Sequence, residues 1–179
     1  HGKKPMSFEA YEIIAKHLFQ SGDPQDVFAH LFLVLDWSLM KRAENCVNAK
    51  INHIYWNNNC LVFEFAKEKG KQKGDSFGPW HVYANPEKPH ICPILAFAKY
   101  IASFPEVMEE GHSLFEGSSQ YKRYNDRFSN VLTELEVPLS NIGYGKGDLG
   151  THSCRKGVGT MIAAGCTVSP PIVALCVRA

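Results

Sequence analysis

Ile51-Asn52-His53-Ile54-Tyr55-Trp56-Asn57-Asn58-Asn59-Cys60-Leu61-Val62-Phe63-Glu64-Phe65 is the stretch at which the character of the chain changes. Its two flanks are rich in β-branched and aromatic residues and are separated by three asparagines, a pattern that favours a tight hairpin. The strands are expected over 51–56 and 60–65. A third run of the same kind, Trp80-His81-Val82-Tyr83, follows a polar loop over 66–78. On the N-terminal side the pattern is helical. Ser7 can cap a helix in which Tyr11, Ile14, Ala15, Leu18 and Phe19 recur at i, i+3, i+4, i+7 and i+8, ending at Gly22. Asp23-Pro24 then reads as an N-cap followed by proline at the first helical position, opening a helix to about Met40. From Val27 to Leu35 that helix is apolar on nearly every side, which marks it as the most buried one.

On the C-terminal side, Pro93 opens a helix over Ile94 to about Phe104. Another, around Ser119 to Leu135, turns Tyr124, Phe128, Val131, Leu132 and Leu135 inward. Two more are expected, over Thr151 to Ala164 and from Pro170 onward, the last with Ser169 as its cap. The predicted fold is mainly α with a small three-stranded antiparallel β-sheet inserted after the second helix (α+β). No repeat, linker or low-complexity tract divides residues 1–179, so a single domain is expected.

Composition narrows the function. With 45% hydrophobic and 21% charged residues, the chain is neither disordered nor fibrous. Lys and Arg number 19 against 18 for Asp and Glu, and the net charge of +1 excludes a histone-like wrapper while leaving room for a local basic face. The six cysteines form no CxxC pair, which points to buried thiols in a reducing, intracellular setting. The most apolar stretch, Val27 to Met40, is broken by His30 and Asp36 and falls short of the roughly 18 residues of a membrane span. His1-Gly2-Lys3-Lys4 shows no signal peptide and no initiator Met, so the expectation is a soluble domain excised from a longer protein, with no membrane partner.

Charge is unevenly distributed. Lys67, Lys69, Lys71 and Lys73 face only Glu68 in the loop after the second strand, whereas 100–120 holds Glu106, Glu109, Glu110 and Glu116 and no Lys or Arg. Gly145-Lys146-Gly147-Asp148-Leu149-Gly150 has the GxGxxG spacing of dinucleotide sites, but no strand precedes it and Pro170 stands where an acidic ribose ligand belongs. It reads as a flexible loop entering a helix, and no cofactor is expected. His81, His90, Cys92 and His112 lack paired ligand spacing, so no metal is expected either. Cys154 has no marked base beside it.

Thr151-His152-Ser153-Cys154-Arg155-Lys156-Gly157 carries the chemistry. His152 and Arg155 are three apart and share one face near a helix N-terminus, a combination suited to a phosphate oxyanion. Arg42 ends the most buried helix in Leu39-Met40-Lys41-Arg42, and Lys69 sits in the basic loop. Arg, Lys and His-x-x-Arg in that order form the constellation of the tyrosine recombinases. The likeness extends to Lys69-Gly70-Lys71-Gln72-Lys73-Gly74, His81-Val82-Tyr83-Ala84-Asn85-Pro86 and Ile91-Cys92-Pro93. From about Trp37 to its last residue the chain resembles the recombinases of Crypton-type mobile elements of eukaryotes.

The resemblance implies a recombinase catalytic-domain fold and a site-specific recombinase or integrase that cleaves and rejoins double-stranded DNA. Arg42 and Arg155 would clamp the non-bridging oxygens of the scissile phosphate, and His152 would hydrogen-bond it. Lys69 would protonate the departing 5′ oxygen as general acid. Lys67, Lys71, Lys73 and Lys156 would contact DNA. The nucleophile, a tyrosine forming a 3′-phosphotyrosyl intermediate, would lie beyond Ala179, because the family places it downstream of His-x-x-Arg and Tyr144 precedes that motif. The domain is thus expected to be truncated at its C-terminus and, alone, inactive in cleaving DNA. Lys71 departs from the acidic residue that relatives often carry. The implied setting is the nucleus, with a synaptic multimer for the complete protein and a monomer for this fragment. Two alternatives remain: a domesticated DNA-binding protein that keeps the fold but no longer cuts, and a protein-interaction scaffold with no phosphate site.

Overall fold

The computed structural model describes residues 2–40, 46–47, 49–64, 79–109 and 111–163. The first helix, α1 (Phe8–Gln20), begins where expected because the Ser7 hydroxyl accepts a hydrogen bond from the Ala10 amide at 3.1 Å. Ser7→Ala should cost about 1 kcal/mol, read as a lower midpoint in urea unfolding. The last carbonyls of α1 are served from a distance, the Lys99 ammonium donating to Phe19 O at 2.6 Å and to Ser21 O at 2.8 Å.

The second helix, α2 (Pro24–Leu39), starts at Asp23, whose carboxylate accepts from the Gln25 amide at 2.7 Å, and stops at Met40 in the left-handed region. Every residue from Asp26 to Trp37 is buried, as its unbroken apolar surface predicts. α2 is the axis of the molecule. It packs most extensively on α3 (Pro93–Ser103), and also on α1, α4 (Gln120–Glu134) and α6 (Thr151–Ala163). Aromatic rings fill the joints: Phe32 stacks on Tyr124 at 4.1 Å between centroids, and Tyr11 stacks on Trp37 at 4.2 Å. Arg127 on α4 pairs with Asp26 at 2.5 Å and with Glu134 at 2.6 Å, and His17 reaches the same Glu134, so one network laces α1, α2 and α4.

The sheet is an antiparallel meander in the order β1 (Ile54–Asn57), β2 (Cys60–Phe63), β3 (Trp80–Tyr83). Ile54 pairs with Phe63 and Asn57 with Cys60, while Phe63 also pairs with Trp80 and Leu61 with Val82. Asn58 takes the positive φ that the tight turn needs, a conformation asparagine tolerates. Leu61, Phe63 and Val82 join the main core from one face.

Two local expectations are corrected. Residues Ile51–His53 form a single 3-10 turn instead of the start of β1. The Ile51 amide donates to His112 O and Lys50 bridges Ser113, so ladder pairing with β2 begins at Ile54, with one further bond from the Glu64 amide to His53 O at 2.8 Å. Beyond α4 the chain does not stop: a short helix, α5 (Glu136–Asn141), follows at once, with Pro138 in its first turn where a missing amide costs nothing. Leu132 is half-buried, whereas Tyr124, Phe128, Val131 and Leu135 are buried as expected. The second strand ends at Phe63, short of the expected Glu64. Phe65, the loop over 66–78, Ala164 and the helix from Pro170 lie outside the described residues. Among the described residues no helix is long and apolar enough to cross a membrane.

Candidate phosphate-binding site

The helix α6 carries His152, Arg155 and Lys156, and its start is tightly built. The Gly150 amide donates to the Ser153 hydroxyl at 3.1 Å, the Ser153 amide donates to Gly150 O at 2.8 Å, and Thr151 is hydrogen-bonded to the Tyr121 hydroxyl at 3.0 Å. The preceding loop, read from sequence as flexible, is stapled. Asp148 accepts from the Gly145 amide at 2.7 Å and pairs with Lys4 at 2.7 Å. What precedes the loop is α5 and a turn, not the buried strand of a dinucleotide fold.

The staple belongs to an N-terminal strap, residues 2–7, that runs antiparallel to nothing in the sheet but lies across α6. The Lys4 amide donates to Asp148 O at 2.8 Å and the Met6 amide to Ser153 O at 2.9 Å. Lys3 Nζ donates to Gly147 O at 2.7 Å, and Lys156 Nζ donates to Lys3 O at 2.8 Å. The Met6 backbone crosses α6 at Gly157, where a β-carbon would collide with the Met6 carbonyl. The Tyr144 hydroxyl completes the strap, accepting from the Ser7 amide at 2.7 Å and donating to Pro5 O at 2.9 Å. Tyr144 therefore has a holding role.

Three arginines are described, and their commitments differ. Arg127 is bound to two carboxylates, and Arg123 lies over the Phe28 ring at 4.0 Å with its Nε on Gln25 at 2.6 Å. Arg155 is half-buried and has no hydrogen-bond or ion-pair partner among the described residues. Exposed His152 is equally uncommitted, one turn away on the same face.

Beneath them sits a group that sequence reasoning treated only as an interruption of an apolar run. Asp36 on α2 is 1% exposed, and neither carboxylate oxygen has a hydrogen bond among the described residues. Burial pushes its pKa up to about 7; the Cys154 thiol beside it and the charge of Arg155 pull in the other direction. The thiol is close without making a well-directed hydrogen bond, so burial dominates. Burial likewise raises the Cys154 pKa well above its ordinary value, with Asp36 adding to the effect, which keeps this thiol protonated and unreactive. The contact places the start of α6 against the last turns of α2, the helix that delivers the chain toward Arg42.

Of the residues singled out from sequence, His152, Arg155 and Lys156 are brought together on α6. Arg42, Lys69, Lys67, Lys71 and Lys73 lie outside the described residues. The four candidates dismissed as metal ligands have other work where it is visible: Cys92 caps α3 by accepting from the Leu95 amide, and His90 and His112 pair with Glu12 and Glu116. Sequence reading missed Asp36, Lys3 and Lys4. For Asp36 the available signal was a carboxylate in the middle of the most apolar helix. For the strap there was none, since its contacts span the whole chain. No protein-family model matches the sequence, and no curated protein matches it.

Proposed function

We propose that this chain is the catalytic domain of a tyrosine recombinase, which breaks and rejoins double-stranded DNA through a 3′-phosphotyrosyl intermediate. The observation that supports the reading is the pair of uncommitted groups at the start of α6, Arg155 and His152, beside the end of the helix leading to Arg42. A guanidinium held half out of water, with a helix N-terminus and an imidazole next to it, is a strong receptor for a phosphate oxyanion. Arg42 and Arg155 clamp the non-bridging oxygens, His152 hydrogen-bonds them, and Lys69 handles the proton of the 5′ oxygen. The nucleophile of this mechanism is a tyrosine that the reading does not assign among residues 1–179.

The rejoining half-reaction tests this without that tyrosine. A duplex in which one strand ends in a 3′-(4-nitrophenyl) phosphate, abutting a 5′-hydroxyl end, supplies the activated phosphate. The 5′ oxygen attacks phosphorus and loses its proton to Lys69 or solvent, the bond to the aryl oxygen breaks, and 4-nitrophenolate leaves. At protein concentrations that saturate binding we expect a joined strand and the yellow nitrophenolate in equal amounts. Arg155→Ala should slow joining by about 100-fold or more and weaken binding. Lys69→Ala should slow joining while leaving binding within about twofold, since its role lies in proton transfer. Saturated binding without joining would instead support the DNA-binding protein that keeps the fold but no longer cuts. Absence of DNA binding would leave the protein-interaction scaffold.

A further inference from the structure

The face of α6 that carries Arg155 and His152 does not end at the helix. At roughly 100° per residue, Arg155 lies about 60° to one side of His152 and Lys156 about 40° to the other. Continuing past Lys156, and past Thr160 one turn further on, the positions reached are Ser153 and Gly157, the two over which the strap runs. The strap therefore borders the phosphate face directly, and Lys156 is the link, its ammonium resting on Lys3 O.

We propose that the strap and the Gly145–Gly147 turn extend the phosphate face into a fixed track of lysines, Lys3, Lys4, Lys146 and Lys156, that carries the DNA backbone alongside the reacting phosphate. The inference rests on the DNA reading of the site given above. All four side chains are exposed, and the contacts joining them contain one carboxylate, that of Asp148. Each ammonium has three donors. Lys3 and Lys156 each spend one on a carbonyl, which orients them without cancelling charge, and Lys146 makes no hydrogen bond or ion pair among the described residues. Lysines on an unanchored terminus would contribute a diffuse charge. Here the backbone hydrogen bonds of Lys4 and Met6, and the seat of Met6 on Gly157, hold them in register with His152. The partner that fits a row of exposed ammonium groups, net positive despite the Asp148 carboxylate on Lys4 and continuous with a phosphate receptor, is a nucleic-acid backbone, and a duplex is the substrate of the site it adjoins.

The test is the salt dependence of binding of the 179-residue chain to a ~30-bp duplex of arbitrary sequence, by fluorescence anisotropy between about 50 and 200 mM salt. Each phosphate-contacting lysine contributes roughly 0.9 to the slope of log K against log salt. Lys146→Gln should lower the slope by about 1, and Lys3→Gln with Lys146→Gln by about 2, with weaker binding throughout. Lys16→Gln, on α1, removes the same charge outside the track and should leave the slope unchanged. Glutamine keeps most of the aliphatic stem of Lys3 over Gly150, and circular dichroism checks that each variant folds. Slopes equal to wild type, with Arg155→Ala still weakening binding, would overturn the track and leave the recombinase reading standing. A wild-type chain with no salt-dependent binding would overturn both. Competition by polyglutamate as effective as competition by DNA would reassign the surface to an acidic protein and overturn the inference.

Discussion

Asp36→Asn is expected to stabilise the protein by up to about 4 kcal/mol at pH 8 and to change it little at pH 4. The carboxyl is buried without hydrogen-bond partners among the described residues, and its pKa is pushed up to about 7 in the folded state from a model value of 3.8. Between those values the folded protein holds a proton that the unfolded chain has released. The stability linked to this group is therefore complete below the unfolded pKa and is lost as pH rises through about 7. An amide cannot ionise, so the variant escapes the loss, and its advantage should grow with pH across that window. His30 works in the opposite sense. It is buried and neutral, with Nε2 donating to His90 O at 2.7 Å, and burial lowers its pKa to about 4. Its contribution is present above about 6.5 and is lost as pH falls toward 4. Urea unfolding from pH 4 to 8 separates the two: in wild type the opposed slopes largely cancel between about 4 and 6.5, and Asp36→Asn should uncover the rise with pH that His30 produces. A gain from Asp36→Asn that is the same at every pH would show that packing, not ionisation, governs the site.

Gly157→Ala should cost about 3 kcal/mol, whereas Gly159→Ala, two residues along the same helix, should be neutral or stabilising by up to about 1 kcal/mol. Both replace a helical glycine, so propensity favours both changes equally. The difference is what the new methyl meets. At Gly159 nothing lies within 4 Å, while at Gly157 it drives into the Met6 carbonyl, with the carbonyl carbon at 2.9 Å. A backbone cannot step aside as a flexible side chain can. The strap must lift, withdrawing Met6 from the core, worth about 1.5–3 kcal/mol, and losing the Met6 and Lys4 amide bonds at about 1 kcal/mol each. The last turn of strain is offset in part by the better helix former. Chemical denaturation gives the stability difference, and amide exchange at Met6 reports the strap itself. Equal behaviour of the two variants would mean that the strap tolerates displacement.

The helices and strands were legible where local signals agreed. Ser7 and Asp23-Pro24 each combine a cap with an apolar period, and both helices start where those residues stand. The three strands follow β-branched and aromatic runs; Ile51–His53 departs because bonds to His112 and Ser113, distant in sequence, hold Ile51 and Lys50, and β2 stops at Phe63, short of Glu64. The short α5 escaped notice because Pro138 reads as a breaker unless the helix start is known to lie just before it. For the site, the spacing of His152 and Arg155 was enough to place them on one helical face. The contact of Lys3 with Gly147 was not legible, since the two meet across nearly the whole chain. A periodicity argument sees neighbours along a helix. It does not see a terminus folded back over one.

That fold-back sets an order of events during synthesis. The strap is the first described part of the chain to leave the ribosome, and α6, its partner, is the last. At about 5–20 residues per second, some ten to thirty seconds separate them, and for that time Met6 and the strap amides have nothing to bind. The core around α2 can close on itself in the interval, because its packing against α1 and α3 does not wait for α6. The surface bearing His152 and Arg155 is thus the last of the described surfaces to be assembled, after the core around α2 has closed.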